Sequence, residues 1–134
     1  MKYIICSIVL SIYAIYLCQS AKVLLTHRPY LNNSNTQINC TAQLDRRSEW
    51  FASLEVNKDG HIFYNYDNNT KSNPVVNQVY GIDRQAVQTY GFAPGVFVIN
   101  RLNKTSSGRY TCIVKYNRGA KSAYNATDIV VKST

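Results

Sequence analysis

Apolar and polar residues alternate in short runs along most of this chain. Ile38-x-Cys40-x-Ala42 has the period of two that sets Cys40 on the buried face of a strand. Trp50-Phe51-Ala52-Ser53-Leu54-Glu55-Val56 reads as a second strand. Asn57-Lys58-Asp59-Gly60 follows, with an Asp-Gly step suited to a hairpin turn. His61 to Tyr66 is the returning strand, and residues 68–73 form a polar connection. Phe97 to Leu102, Arg109 to Tyr116 and Tyr124 to Val131 are further strands, the last two joined by a turn at Asn117-Arg118-Gly119. A helical period is hard to find. Short segments rich in Tyr, Val, Ile and Phe, separated by Asn, Gly, Asp and Ser, predict an all-β sandwich.

Residues 1–20 break this pattern. Lys2 is followed by an almost wholly apolar run from Tyr3 to Leu17, then by small or polar residues up to Ser20. A basic start, a short apolar run and a small-residue end describe a secretory signal peptide, with cleavage expected after Ser20. The run is short for a membrane span, which needs about 20 apolar residues. The expected product is therefore residues 21–134, one secreted, extracellular domain with no membrane anchor. Cleavage removes Cys6 and Cys18 and leaves Cys40 and Cys112. Two cysteines in an oxidising compartment read as one disulfide. Closing a loop of 72 positions stabilises a fold by roughly 4 kcal/mol in the chain-entropy model. Sequons for N-glycosylation at Asn32, Asn39, Asn68, Asn103 and Asn125 fit the same export route.

The formal charge of +8 comes from scattered basic residues, Arg46-Arg47 being the adjacent pair. With a leader present, nucleic acid is not an expected partner. The charge reads first as solubilising, with weak binding to sulfated sugars or acidic surfaces as the alternative. No nucleophile–base set, Gly-framed Ser or phosphate-binding loop is visible, so neither catalysis nor a cofactor is expected. His27 and His61 are too few to complete a metal site with the cysteines, so no metal is expected either.

The densest signal runs from Phe97 to Cys112. Phe97 and Ile99 share a strand face, Leu102 closes the core, Gly108 permits a tight corner, and Tyr110 precedes Cys112 by two. That spacing suits a tyrosine corner, in which the hydroxyl bonds back to the upstream backbone. Cys112 faces inward and reaches Cys40 across the sandwich, with Trp50 packed on the bond. The ordered Cys, Trp and Tyr-x-Cys set resembles the immunoglobulin superfamily over all of residues 21–134. The separation of the two cysteines leaves room for two strands beyond a constant-type domain, so a variable-type immunoglobulin-like β-sandwich is expected, with Trp50 and Tyr110 in its core. Ser106 departs from the pattern, since many such domains carry Asp there, paired with an Arg for which Arg84 is the candidate.

A finer resemblance follows. Val75-Val76-x-Gln78, Asp83-Arg84, Tyr90-Gly91-Phe92, Gly119-x-Lys121 and Thr127-x-Ile129-x-Val131 recur in similar form and order in the variable domain of the OX-2 membrane glycoprotein family. Members also carry a constant-type domain, a membrane span and an extra cysteine pair joining the last two strands; Arg109 and Asp128 stand at the matching positions here. Opposite charges at both places predict that the two residues are cross-strand neighbours. The resemblance implies a ligand of an inhibitory, immunoglobulin-family receptor on myeloid cells, engaged through the sheet of the G, F, C and C′ strands. Large DNA viruses carry OX-2-like genes, and a viral mimic that modulates host immunity fits a chain rich in Asn, Ile, Tyr and Lys.

Alternation places a binding face. If Trp50, Tyr110 and Cys112 face inward, then Phe51, Ser53, Ile113 and Lys115 face outward, with Tyr116 nearby. These five are the candidate partner-binding residues. Cover by a second copy is the alternative, in a monomer or weak dimer. A soluble decoy that captures a cytokine or other immune ligand, and a self-associating adhesion module, remain open as other uses. Asn39 should point away from this face, whereas a glycan at Asn125 could hinder it.

Overall fold

The computed structural model describes residues 21–29, 34–70, 73–91 and 93–132. The expected leader, residues 1–20, and the Asn32 sequon lie outside the described residues. Nine strands are found among those described: β1 (Lys22–Pro29), β2 (Thr36–Gln43), β3 (Phe51–Lys58), β4 (His61–Asp67), β5 (Val75–Val76), β6 (Val87–Thr89), β7 (Val96–Ile99), β8 (Gly108–Tyr116) and β9 (Lys121–Ile129). They form two antiparallel sheets, ordered β1-β2-β7-β6 and β5-β4-β3-β8-β9. This is the variable-type immunoglobulin-like sandwich. Strands β4 and β5 are the pair that the long interval between the cysteines accommodates.

Turn chemistry fixes the registers. Asp59 and Gly60 have φ of 51° and 86°, the two positive angles that a type I′ hairpin turn demands, and Lys58 is paired with His61 across it. Between β8 and β9, Ala120 N donates to Asn117 O at 3.1 Å, with Arg118 and Gly119 at φ 59° and 84°. The first turn is also clamped to β8. Asp59 Oδ1 accepts from Arg109 N at 2.9 Å, and a Cβ on Gly108 would lie 2.6 Å from Asp59 Oδ2. Gly108 is thus required by the approach of a carboxylate rather than by a corner in its own backbone.

The Cys40–Cys112 disulfide joins the sheets with Cα atoms 6.5 Å apart. An aromatic layer packs beside it. Phe63 meets Phe97 and Tyr110 edge-on at 5.7 and 5.9 Å, and Tyr64 stacks on Phe97 at 4.5 Å. Such pairs contribute roughly 0.5–1.5 kcal/mol each beyond the area they bury. The polar ends are satisfied: Tyr64 Oη accepts from Gly95 N at 2.9 Å, and Tyr110 Oη donates to Ser106 O at 2.5 Å, the expected tyrosine corner.

Trp50 is not in this core. It is 64% exposed, the reverse of the position expected for it. The cause is a bulge in β3, whose pairing with β8 steps from Phe51–Tyr116 to Ser53–Lys115, with Ala52 as the extra residue. One inserted residue inverts the facing of everything before it. Phe51 therefore turns inward and stacks on Tyr66 with ring centroids 6.1 Å apart, and Trp50 turns out. Val56, fully buried and the register partner of Cys112, takes the place expected of the tryptophan. A second shift, between Val56 and Asn57, lets the consecutive Phe63 and Tyr64 both be buried.

The corner near Ser106 is held without the ion pair common at that place. Ser106 is fully buried, and its hydroxyl donates to Gly81 O at 2.7 Å. Asp83, the neighbour of Arg84, pairs with Arg101 at 3.5 Å.

Candidate binding face

The outer face of the five-stranded sheet is laid out by the strand registers. Reading across β5, β4, β3, β8 and β9, one row runs Val75, Asn65, Glu55, Ile113, Tyr124. The next row runs Asp67, Ser53, Lys115, Ser122, and the row on the other side runs Ile62, Asn57, Thr111, Ala126. Val75, Ile62 and Tyr124 are exposed at 56%, 42% and 73%, around a half-buried Ile113. Apolar groups on this face therefore span the sheet from one edge strand to the other, interleaved with Glu55, Asn57 and Lys115.

The five candidate residues divide. Ser53, Ile113 and Lys115 lie on this face, Ser53 directly opposite Lys115. Phe51 and Tyr116 do not. Phe51 is inside because of the bulge, and Tyr116 is 3% exposed because it continues the inward series of Tyr110, Cys112 and Val114. Sequence reasoning missed Tyr124, Val75 and Ile62. For Tyr124 the signal was present: alternation from Asp128 gives it the same outward facing. Val75 sits on a strand of two residues, too short to show a period, and Ile62 faces out only because of the second bulge.

Arg109 and Asp128 are register partners, with Arg109 Nη1 3.6 Å from Asp128 Oδ1, as the opposite charges predicted. Both are about two-thirds exposed, so the pair contributes at most ~1 kcal/mol.

No family model and no curated protein sequence matches this chain. Solved structures do. A chimeric titin Z1Z2 tandem is similar with a TM-score of 0.55 and 17% identity, covering 86% of this chain and 51% of the tandem. Murine CRIg is similar with a TM-score of 0.51 and 16% identity over 81% of this chain and 95% of its own. The human B7-H4 IgV-like domain aligns at 0.47 with 11% identity, covering 82% of this chain and 96% of that one. The chain spans about half the length of the titin tandem.

The fold is that of an immunoglobulin domain. The five-stranded sheet described above carries the two strands, β4 and β5, that distinguish the variable type. Among the described residues no helix is long and apolar enough to cross a membrane.

The four described sequons sit clear of the outer face of this immunoglobulin-like domain or at its margins. Asn39 lies on β2 in the opposite sheet, as its parity predicted, beside Thr26 and a shallow hollow lined also by His27, Arg28 and Gln37. Asn103 is exposed, and its Oδ1 accepts from Thr105 N at 2.9 Å. Asn68, after β4, donates from Nδ2 to Phe51 O at 3.4 Å. Asn125 is the register partner of Cys112 and turns from the outer face toward β1, where its Nδ2 donates to Val23 O at 3.0 Å.

Proposed function

We propose that this chain is a secreted immunoglobulin-like ligand that engages an inhibitory, OX-2 receptor-like protein on myeloid cells and so modulates host immunity. The observation that carries this reading is the outer face of the β5-β4-β3-β8-β9 sheet, where Ile113 and Tyr124 form an apolar centre flanked by Glu55, Ser53 and Lys115. That is the sheet through which the OX-2 resemblance implies binding. The flat, pre-paired surface needs no ordering on association, which favours a rigid protein partner over a small molecule. Loss of the extra cysteine pair to Arg109 and Asp128 leaves β8 and β9 joined by their backbone ladder and a surface ion pair, with the face intact.

The test is surface plasmon resonance of the secreted, disulfide-bonded protein over immobilised inhibitory OX-2 receptor ectodomain. Saturable binding, lost in an Ile113→Asp, Tyr124→Ala variant of unchanged melting temperature, is the expected result. Absence of binding at roughly tens of micromolar would remove the receptor reading. Binding unaffected by the variant would move the interface off this sheet.

A further inference from the structure

A second surface lies at one end of the sandwich, where the segment before β3 meets the β8–β9 turn. Asn117 ties the two together. Its N donates to Trp50 O at 2.8 Å, its Oδ1 accepts from Trp50 N at 2.9 Å, and its Nδ2 donates to Ser48 O at 3.1 Å. The segment is itself closed on Asp45, whose carbonyl accepts from Glu49 N at 2.8 Å and whose Oδ1 accepts from Arg47 N at 2.9 Å. Trp50 is thus held by backbone bonds on both sides while its side chain stays 64% exposed. The exposed Arg46 and Arg47 belong to the same segment, Arg118 to the turn that Asn117 begins and Lys121 to the start of β9, with Lys115 one row below. Arg118 has φ of 59°, a conformation costly for an L-residue that is kept here at the tip of the turn.

The charges are not spread evenly. Lys58, Arg101 and Arg109 pair with Asp59, Asp83 and Asp128 at 3.2, 3.5 and 3.6 Å, all toward the opposite end of the domain. Arg46, Arg47, Lys115, Arg118 and Lys121 form no ion pair among the described residues. The chain carries 15 Lys and Arg against 7 Asp and Glu; of the two acids in this segment, Asp45 is exposed and Glu49 is buried, its Oε1 accepting from Asp45 N at 2.7 Å.

We infer that this end of the domain binds a sulfated glycosaminoglycan chain, with Trp50 stacking on a sugar ring and Arg46, Arg47 and Arg118 holding sulfates. Guanidinium groups present paired N–H donors that match tetrahedral oxyanions. The groups tied to Trp50 and its segment by hydrogen bonds, Asn117 and Ser48, are polar and supply no apolar rim. A protein hot spot needs such a rim to exclude water. A pyranose needs one exposed aromatic face and keeps its hydroxyls in solvent. Cations carried on separate segments around one indole suit a linear polyanion, whose binding is driven by counterion release and weakens steeply with salt. Lys115 borders both this surface and the Ile113–Tyr124 face; the inference rests on Trp50, Arg46, Arg47 and Arg118 and does not depend on the receptor reading.

The experiment measures affinity of the full secreted protein for a heparin dodecasaccharide as a function of salt, with a sulfonate cation exchanger as the matrix without sugar. Arg46→Ser, Arg47→Ser, Arg118→Ser should weaken heparin binding about tenfold or more at physiological salt and flatten the salt dependence. Arg84→Ser, Lys104→Ser, Lys132→Ser, exposed residues away from this end, removes the same charge and should have a much smaller effect. Trp50→Ala should weaken heparin binding and leave retention on the exchanger unchanged. Equal losses in the two triple variants, or a Trp50→Ala protein with wild-type heparin affinity, would overturn the assignment. So would cell binding that survives heparinase yet is lost in the Arg46, Arg47, Arg118 variant, which would give the surface to an acidic protein.

Discussion

Tyr110→Phe removes one oxygen atom from the tyrosine corner and leaves the ring in place. Tyr110 and Ser106 are both fully buried, and the hydroxyl donates to Ser106 O at 2.5 Å. A buried hydrogen bond of this kind contributes a net ~0.5–1.5 kcal/mol, and stranding its acceptor costs ~1–3 kcal/mol. Edge-on packing against Phe63 survives, so the expected loss is ~2 kcal/mol. At roughly 4 °C per kcal/mol in a domain of this size, the melting temperature should fall by ~8 °C. The urea midpoint should fall by ~1.5 M for a slope near ~1.3 kcal/mol/M. Alkaline pH adds a second readout. Burial, and then the charge of Asp59, push the Tyr110 phenol well above its ordinary value of 10.0. A raised folded-state value means that the stabilisation is complete below pH 10 and is lost as pH rises beyond it toward the folded value. The variant should therefore lose less stability than wild type between pH 9 and 11, on the order of the removed group's share. Tyr64, which burial also raises against the opposing bond from Gly95, contributes to the slope that remains. Tyr124→Phe, at a 73% exposed site, is the control and should change stability by less than ~0.5 kcal/mol. Urea curves at several pH values decide the matter. A Tyr110→Phe protein within ~0.5 kcal/mol of wild type, with an unchanged alkaline decline, would refute the account of the corner.

Three other outcomes are expected. Trp50→Ala should cost less than ~1 kcal/mol in thermal melts, whereas a tryptophan packed on the disulfide would cost ~3–5 kcal/mol. Gly81→Ala should destabilise by ~3 kcal/mol or more by calorimetry, because its Cβ would lie 2.0 Å from Thr105 O in a backbone at φ +82°. Asp59 is held below its ordinary value of 3.8, first by the Arg109 N–H and then by Lys58, so its contribution is present above that value and disappears as pH falls through the folded one. Melting temperatures of Asp59→Asn should accordingly vary less than those of wild type between about pH 5 and 3.

Local chemistry made much of the fold legible. The Asp59-Gly60 step, the Asn117-Arg118-Gly119 turn, the inward Cys40 and Cys112, and the hydroxyl of Tyr110 all act over a few residues, and all lie where alternation and turn preference put them. Arg109 and Asp128 are partners across a ladder whose register that turn sets. What could not be read depended on bulges. An extra residue at Ala52 is invisible after the consecutive apolar Trp50 and Phe51, either of which could face inward, and it alone reverses them. The candidate face was half legible for the same reason: Ser53, Ile113 and Lys115 lie beyond the bulge and keep their phase. Tyr116 follows the phase of Cys112 through to the end of β8. Strands β5 and β6 have two and three residues, too few for any period to declare itself.

The bond between Cys40 and Cys112 also sets a timetable. Strand β3 finds β4 through a turn of two residues, a matter of microseconds once both are made. Its other neighbour, β8, and the second sulfur lie 72 positions beyond Cys40. At a ribosomal pace of ~5–20 residues per second, that interval lasts ~4–15 s. Until Cys112 is made Cys40 has no sulfur partner, and Val56, Phe63 and Tyr64, made within the interval, wait for β8 and Tyr110 to cover them. The disulfide and the pairing of β3 with β8 therefore form only after β1 to β7 have all been made.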